Sequence, residues 1–188
     1  PNTSADSDVY LADLTKPATQ KPVLVTPNNA DIAYVTYEFT PDSKSLIYAT
    51  DELRELMQAW THDIATGKKA ELLKADWDVM FVTYSPTGKY RVDAINADAS
   101  TKITIHDQTA NKPVALTGVP AGDIGSVRFN HDETKIAFTV SSDTSPADVF
   151  VADLATGAAT RLTKNLNPAI DEQMLVTTEV VRYKSFDG

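Results

Sequence analysis

Residues Val127–Gly157 read VRFNHDETKIAFTVSSDTSPADVFVADLATG, and the pattern of this stretch decides the fold. An apolar-alternating run ends at Phe129 and is followed by the polar turn Asn130-His131-Asp132-Glu133-Thr134. A second run, Lys135–Val140, leads through the loop Ser141–Ala147 to a third, Asp148–Leu154, closed by Ala155-Thr156-Gly157. Period-two alternation punctuated by Asn, Asp, Ser, Pro and Gly is what short antiparallel strands joined by tight turns require. One such unit is a meander and cannot stand as a domain.

Working outward, the same pattern recurs. Val9-Tyr10-Leu11-Ala12-Asp13-Leu14 matches Val149–Leu154 position for position, and Pro22–Thr26 reads as the strand after it. A second copy runs Ala33–Phe39, turn Thr40–Lys44, Ser45–Thr50, Leu56–Ile64 and Lys68–Lys74. Within it, DELRELMQAW (Asp51–Trp60) has helical propensity, with Leu53, Leu56, Met57 and Trp60 on one face. Its place in the repeat assigns Leu56–Ile64 to a strand instead, with room for one helical turn before it. A third copy runs Val79–Tyr84, turn Ser85–Lys89, Tyr90–Ala97, Lys102–Asp107 and Pro113–Thr117. Pro41, Pro86 and His131 mark the first turns at intervals of 45 residues, and Asp13, Asp63, Asp107 and Asp153 recur at 44 to 50.

A period near 45 with four short strands per copy is that of a β-propeller blade. The expected fold is all-β, a partial propeller of about three and a half blades. Residues 1–26 supply the last two strands of a preceding blade; 27–74, 75–117 and 118–163 are blades; 164–188 is a connector with the start of a further strand, Glu179–Gly188, cut at an Asp-Gly turn. Blades stack radially because one sheet cannot cover both of its faces. An arc therefore leaves apolar faces open at both ends, which points to self-association or to boundaries set by cleavage or by the choice of expressed segment.

Composition narrows the function. The chain has 188 residues, 42% of them hydrophobic, enough for a core. Its net charge is −9 and its 17 Lys and Arg are scattered, so a nucleic-acid surface is not expected. No apolar run reaches the roughly 18–20 residues of a membrane span. The absence of cysteine removes disulfides, thiolate ligands and a Cys nucleophile, and it suits reducing and oxidising compartments alike.

The blade motifs PDSKSLIY (Pro41–Tyr48) and DVFVADLATGAATRLT (Asp148–Thr163), combined with LTKNLNP (Leu162–Pro168) and EVVRYKSFDG (Glu179–Gly188), resemble the prolyl oligopeptidase family of serine peptidases. The likeness is strongest to its acylaminoacyl-peptidase and dipeptidyl-peptidase-like branch. The blade repeat alone is shared with TolB-like scaffold propellers. The resemblance implies a ring that admits peptides to an α/β-hydrolase domain lying beyond Gly188. The nucleophile elbow G-x-S-x-G is not in this chain, whose one Gly-Ser pair, Gly125-Ser126, opens a strand. No catalytic residue, cofactor-binding residue or metal ligand is therefore assigned, and no cofactor is expected. The partners implied are the hydrolase domain and peptide substrates, with self-association through the open blade faces as a further expectation.

Other residues read more simply as structure. His62 and His106 precede aspartates but occupy the repeat position of Ala12 and Ala152, and His131 stands in a turn. The recurring aspartates lack the ligand spacing of a calcium loop and suit Asx turns. Trp60 is expected between blades, whereas Trp77, in the loop Ala75–Asp78, is the better candidate for a pocket or tunnel mouth. The charged stretch Asp51–Glu55 is the longest excursion from a blade and the first choice for contacts with another domain.

Overall fold

The computed structural model describes residues 6–17 and 19–186. A two-stranded ribbon, β1 (Tyr10–Leu11) and β2 (Val23–Leu24), precedes three four-stranded antiparallel sheets. Blade I contains β3 (Tyr34–Phe39), β4 (Ser45–Thr50), β5 (Gln58–Asp63) and β6 (Lys69–Leu73). Blade II contains β7 (Val79–Tyr84), β8 (Tyr90–Ala97), β9 (Ser100–Asp107) and β10 (Lys112–Val114). Blade III contains β11 (Asp123–Phe129), β12 (Lys135–Ser142), β13 (Ser145–Asp153) and β14 (Ala159–Arg161). Each strand pairs with its neighbours in sequence, so the architecture is a partial β-propeller. Among the described residues the one helical element is the short 3-10 turn Glu172–Met174.

Turn chemistry sets each hairpin. Ser43, Gly88 and Glu133 hold the same left-handed position in the first turn of each blade, with φ of 57°, 79° and 56°. Gly67, Asn111 and Gly157 do so in the third turn, at 70°, 50° and 73°. Asp13, Asp63, Asp107 and Asp153 each accept the backbone N–H of a residue two or three positions on, at 2.7–3.1 Å. The first and third turns, at one end of each blade, are also tied: Ile64, Gln108 and Leu154 donate their N–H to the carbonyls of Lys44, Lys89 and Thr134.

Between blades lie three apolar seams. Val9 and Val25 of the ribbon region pack with Tyr34, Leu46, Tyr48 and Trp60 of blade I, placing Trp60 between sheets. Ile47 and Ala59 meet Val79 and Val82 across the seam between blades I and II. Tyr90, Val92 and Ile105 meet Val127, Ile136, Phe138 and Phe150 across the seam between II and III, the largest cluster. Burying a side chain such as Phe138, 1% exposed, contributes about 1.5–3 kcal/mol.

The middle seam differs in one respect. Register makes Leu46, Arg91 and Ile136 equivalent, and likewise Tyr48, Asp93 and Phe138. Where two blades place an apolar pair, blade II has a bidentate ion pair, Arg91 Nε and Nη2 on Asp93 at 2.8 and 2.7 Å. His106 Nε2 lies 3.2 Å from the same carboxylate. Burial opposes the Arg91 charge, but the bonds to Asp93 outweigh it and hold the guanidinium above its ordinary pKa.

Some strands differ from expectation. The run Val9–Leu14 forms only the two-residue β1, and Leu14 is 94% exposed whereas its counterpart Leu154 is buried. Leu154 is covered by a full blade; β1 pairs with β2 alone. Pro113–Thr117 is shortened to β10 because Thr117 leaves to form a parallel bridge with Ala158 of blade III. Of the run Glu179–Gly188, residues 179–186 form no strand and pair with no strand among the described residues. They follow a path across two hairpin tips, where Thr178 donates twice to Asp143 at 2.7 Å and Arg182 pairs with Asp98. The Asp187-Gly188 turn lies outside the described residues.

Candidate functional site at the inner rim

The first strand of each blade converges on one opening. Residues Thr36–Glu38 of β3, Phe81–Tyr84 of β7 and Ser126–Phe129 of β11, with Pro86, line a cleft of about 630 Å³. This convergence of leading strands is the inner rim of the arc, where a propeller has its central channel. All three strands carry a register shift, between Thr36 and Phe39, Val79 and Phe81, and Gly125 and Arg128. Bulges of this kind bend a strand and re-aim its side chains, and they concentrate beside functional sites. In β11 the bulge includes Ser126 in a left-handed conformation, φ 52°, which a non-glycine residue adopts only at a cost.

The walls are fixed by bonds between blades. Glu38 accepts the Tyr84 N–H at 2.6 Å and the Thr83 hydroxyl at 3.0 Å, so both its oxygens are used. Tyr37 donates its hydroxyl to the Val79 carbonyl at 2.8 Å, and burial, helped by the Asp78 charge, raises its pKa. Lower down, Glu133 accepts the Thr87 N–H and hydroxyl, both at 2.7 Å, from the turn of the preceding blade. Phe129 stacks on Tyr90 with ring centroids 6.0 Å apart. Arg128 is exposed in the cleft and donates Nη1 to the Val127 carbonyl at 2.7 Å.

No histidine lines this cleft, so no serine–histidine pair is assembled in it. The three histidines sit elsewhere. His62 is buried opposite Leu46 in the seam beside the ribbon, and His106 contacts Asp93, not the adjacent Asp107. His131 is exposed in its turn. Trp77, the expected pocket residue, does not line the cleft; its carbonyl accepts from Gln58 Nε2 at 3.3 Å, and the loop serves to join blades. The charged loop after β4 is folded back on its own sheet, with Glu52 paired to Lys69 at 2.9 Å and Arg54 to Glu71 at 3.0 Å. The cleft itself escaped sequence reasoning, although a signal was available: aligning copies at 45 residues puts Glu38, Thr83 and Arg128 near one level of three adjoining strands.

The fold is that of a partial repeat propeller with a cleft at its inner rim. Residues 2–165 match the family described as prolyl oligopeptidase, N-terminal β-propeller domain, and the chain belongs to that family. No curated protein sequence matches it. Among solved structures, a prolyl oligopeptidase B from Galerina marginata, bound to a 35mer hydrolysis and macrocyclization substrate, superposes with a TM-score of 0.74 at 16% identity. That match covers 98% of this chain and 26% of the peptidase. A puromycin-hydrolyzing peptidase of Mycobacterium tuberculosis gives 0.63 at 15% identity, over 81% of this chain and 23% of that one. A TolB from Agrobacterium tumefaciens gives 0.60 at 20% identity, over 84% and 57%. The chain thus spans about a quarter of the length of these peptidases.

Proposed function

We propose that this chain is the non-catalytic propeller portion of a prolyl-oligopeptidase-family serine peptidase, and that its inner rim controls which peptides reach a separate α/β-hydrolase domain. The observation that carries the reading is the cleft formed by three leading strands in a chain of this family. Its walls are cross-bonded between blades by Glu38 and Tyr37, so the opening is a fixed sieve that passes extended peptides and stops folded proteins. The tail motif EVVRYKSFDG supports the acylaminoacyl- and dipeptidyl-peptidase-like branch. In the whole protein the hydrolase domain would supply acyl transfer through a serine ester and its oxyanion hole.

The TolB likeness favours a second reading, a protein-binding scaffold with no hydrolase attached. Intact mass spectrometry of the protein from its native source separates the two. A species larger by roughly 250 residues, the size of a large single domain, which cleaves short peptides but leaves folded proteins intact, supports the peptidase. A native mass near 20.4 kDa would sink it in favour of the scaffold.

A further inference from the structure

We propose that Arg128 is the anchor for a peptide carboxylate at the inner rim, which rests on the peptide-admitting reading above and gives the cleft a chemical preference. The chain is acidic, with 26 Asp and Glu against 17 Lys and Arg, and carboxylates claim almost every guanidinium. Arg54 pairs with Glu71, Arg91 with Asp93, Arg161 with Asp148 and Arg182 with Asp98. Among the described residues Arg128 alone of the five arginines has no carboxylate, and it lines the inner-rim cleft.

Its donors are accordingly open. A guanidinium carries five N–H groups in a planar fork suited to a carboxylate, and the Val127 carbonyl takes one bond. Glu38, the one carboxylate in the cleft lining, is occupied by Tyr84 and Thr83 of the neighbouring blade. A separate observation distinguishes β11 from the other two leading strands: its register shift, ending at Arg128, includes Ser126 in a left-handed conformation that a regular strand would avoid. Phe81 and Phe129 line the cleft beside it. A free guanidinium next to aromatic surface fits a carboxylate attached to an apolar residue, as at the C-terminus of a peptide ending in Phe or Leu. A glutamate or aspartate side chain offers the same group from another source.

The test is titration of the 188-residue chain, followed by NMR, with three peptides: acetyl-Ala-Phe with a free carboxylate, the same peptide as its amide, and acetyl-Glu-Phe-amide. The expected result is shifts at the amides of residues 126–129, with the free carboxylate binding roughly tenfold tighter than the amide, as one solvent-accessible charge-assisted pair provides. Arg128→Gln should erase that preference while leaving the thermal midpoint unchanged, and Arg128→Lys should keep part of it. Binding of acetyl-Glu-Phe-amide as tight as that of the acid would assign the anchor to side-chain carboxylates. Equal binding of acid and amide, or a preference that survives Arg128→Gln, overturns the anchor and leaves the sieve intact. Failure of every peptide to move residues 126–129 also overturns it, the sieve being judged separately by native mass and by cleavage of short against folded substrates.

Discussion

Breaking the Arg91–Asp93 pair from one side should cost far more than removing it altogether. The Asp93 side chain is 6% exposed and that of Arg91 17%, so neither charge can recover its hydration when its partner is lost. Asp93→Phe leaves a guanidinium in an apolar seam, and Arg91→Ile leaves a carboxylate with only the His106 contact at 3.2 Å. Single replacements of this kind cost 3–5 kcal/mol in well-buried pairs, and the residual exposure of Arg91 argues for the lower end, about 3 kcal/mol each. The double variant reproduces the chemistry of blade III, where Ile136 and Phe138 hold the same register and are 0% and 1% exposed. It should lie within about 1 kcal/mol of the parent, since an apolar pair of suitable shape replaces the ion pair without stranding a charge. Urea unfolding followed by the fluorescence of Trp60 and Trp77 measures all four proteins, and the cycle should give a coupling of about 5 kcal/mol. A double variant as unstable as the two single variants together would refute the reasoning, as would an Asp93→Phe protein within 1 kcal/mol of the parent.

Two further outcomes follow from the turns. A Cβ on Gly157 would lie 1.9 Å from the Ala115 carbonyl oxygen, while one on Gly67 meets nothing within 4 Å, although both residues are left-handed. Gly67→Ala should therefore cost only the conformational penalty of about 1–2 kcal/mol, whereas Gly157→Ala should lose the Thr117–Ala158 bridge as well and unfold at a clearly lower urea concentration; equal midpoints would contradict this. Acid should also weaken the fold. Asp13, Asp42, Asp63 and Asp132 are held below the ordinary carboxylate pKa, first by the hydroxyls of Thr15, Thr40, Thr66 and Thr134, and Asp153 first by the Thr156 N–H. With folded pKa values below the unfolded ones, the stabilisation is complete above about pH 4 and is lost as the pH falls toward the folded values. The thermal midpoint should be level from pH 7 to 5 and drop below about pH 4; an unchanged midpoint at pH 3 would exclude the turn carboxylates as contributors.

The partial propeller was legible because its turns are written in residue types. Asp, Thr and Gly at fixed offsets, such as Asp63-Thr66-Gly67 and Asp153-Thr156-Gly157, specify the hydrogen bonds that the structure contains. The strand in Gln58–Asp63 was legible only through the repeat, which overrode the helical propensity of the preceding residues. Glu133 was not legible as a left-handed residue, because its side chain repays the conformation through two bonds to Thr87 in another blade. Nor was the cleft. Its shape depends on bulges that leave no mark in the alternation of β3, β7 and β11, and its charge depends on which arginines other blades neutralise. Residues 179–186 show the converse, a strand-like sequence that forms no ladder among the described residues.

The polar seam between blades I and II bears on how like units keep their order. Copies built to one pattern can dock in the wrong sequence, since one apolar face accepts another almost as well. The face that blade II turns toward blade I carries Arg91 and Asp93, and against any other blade's apolar face its charges would need the same internal pairing in a pocket of the same shape. Glu38 reaching to Thr83 and Glu133 reaching to Thr87 add distinct fastenings at the two seams of blade II. Blade II thus carries a different polar fastening on each side, so the two seams it shares are chemically distinct.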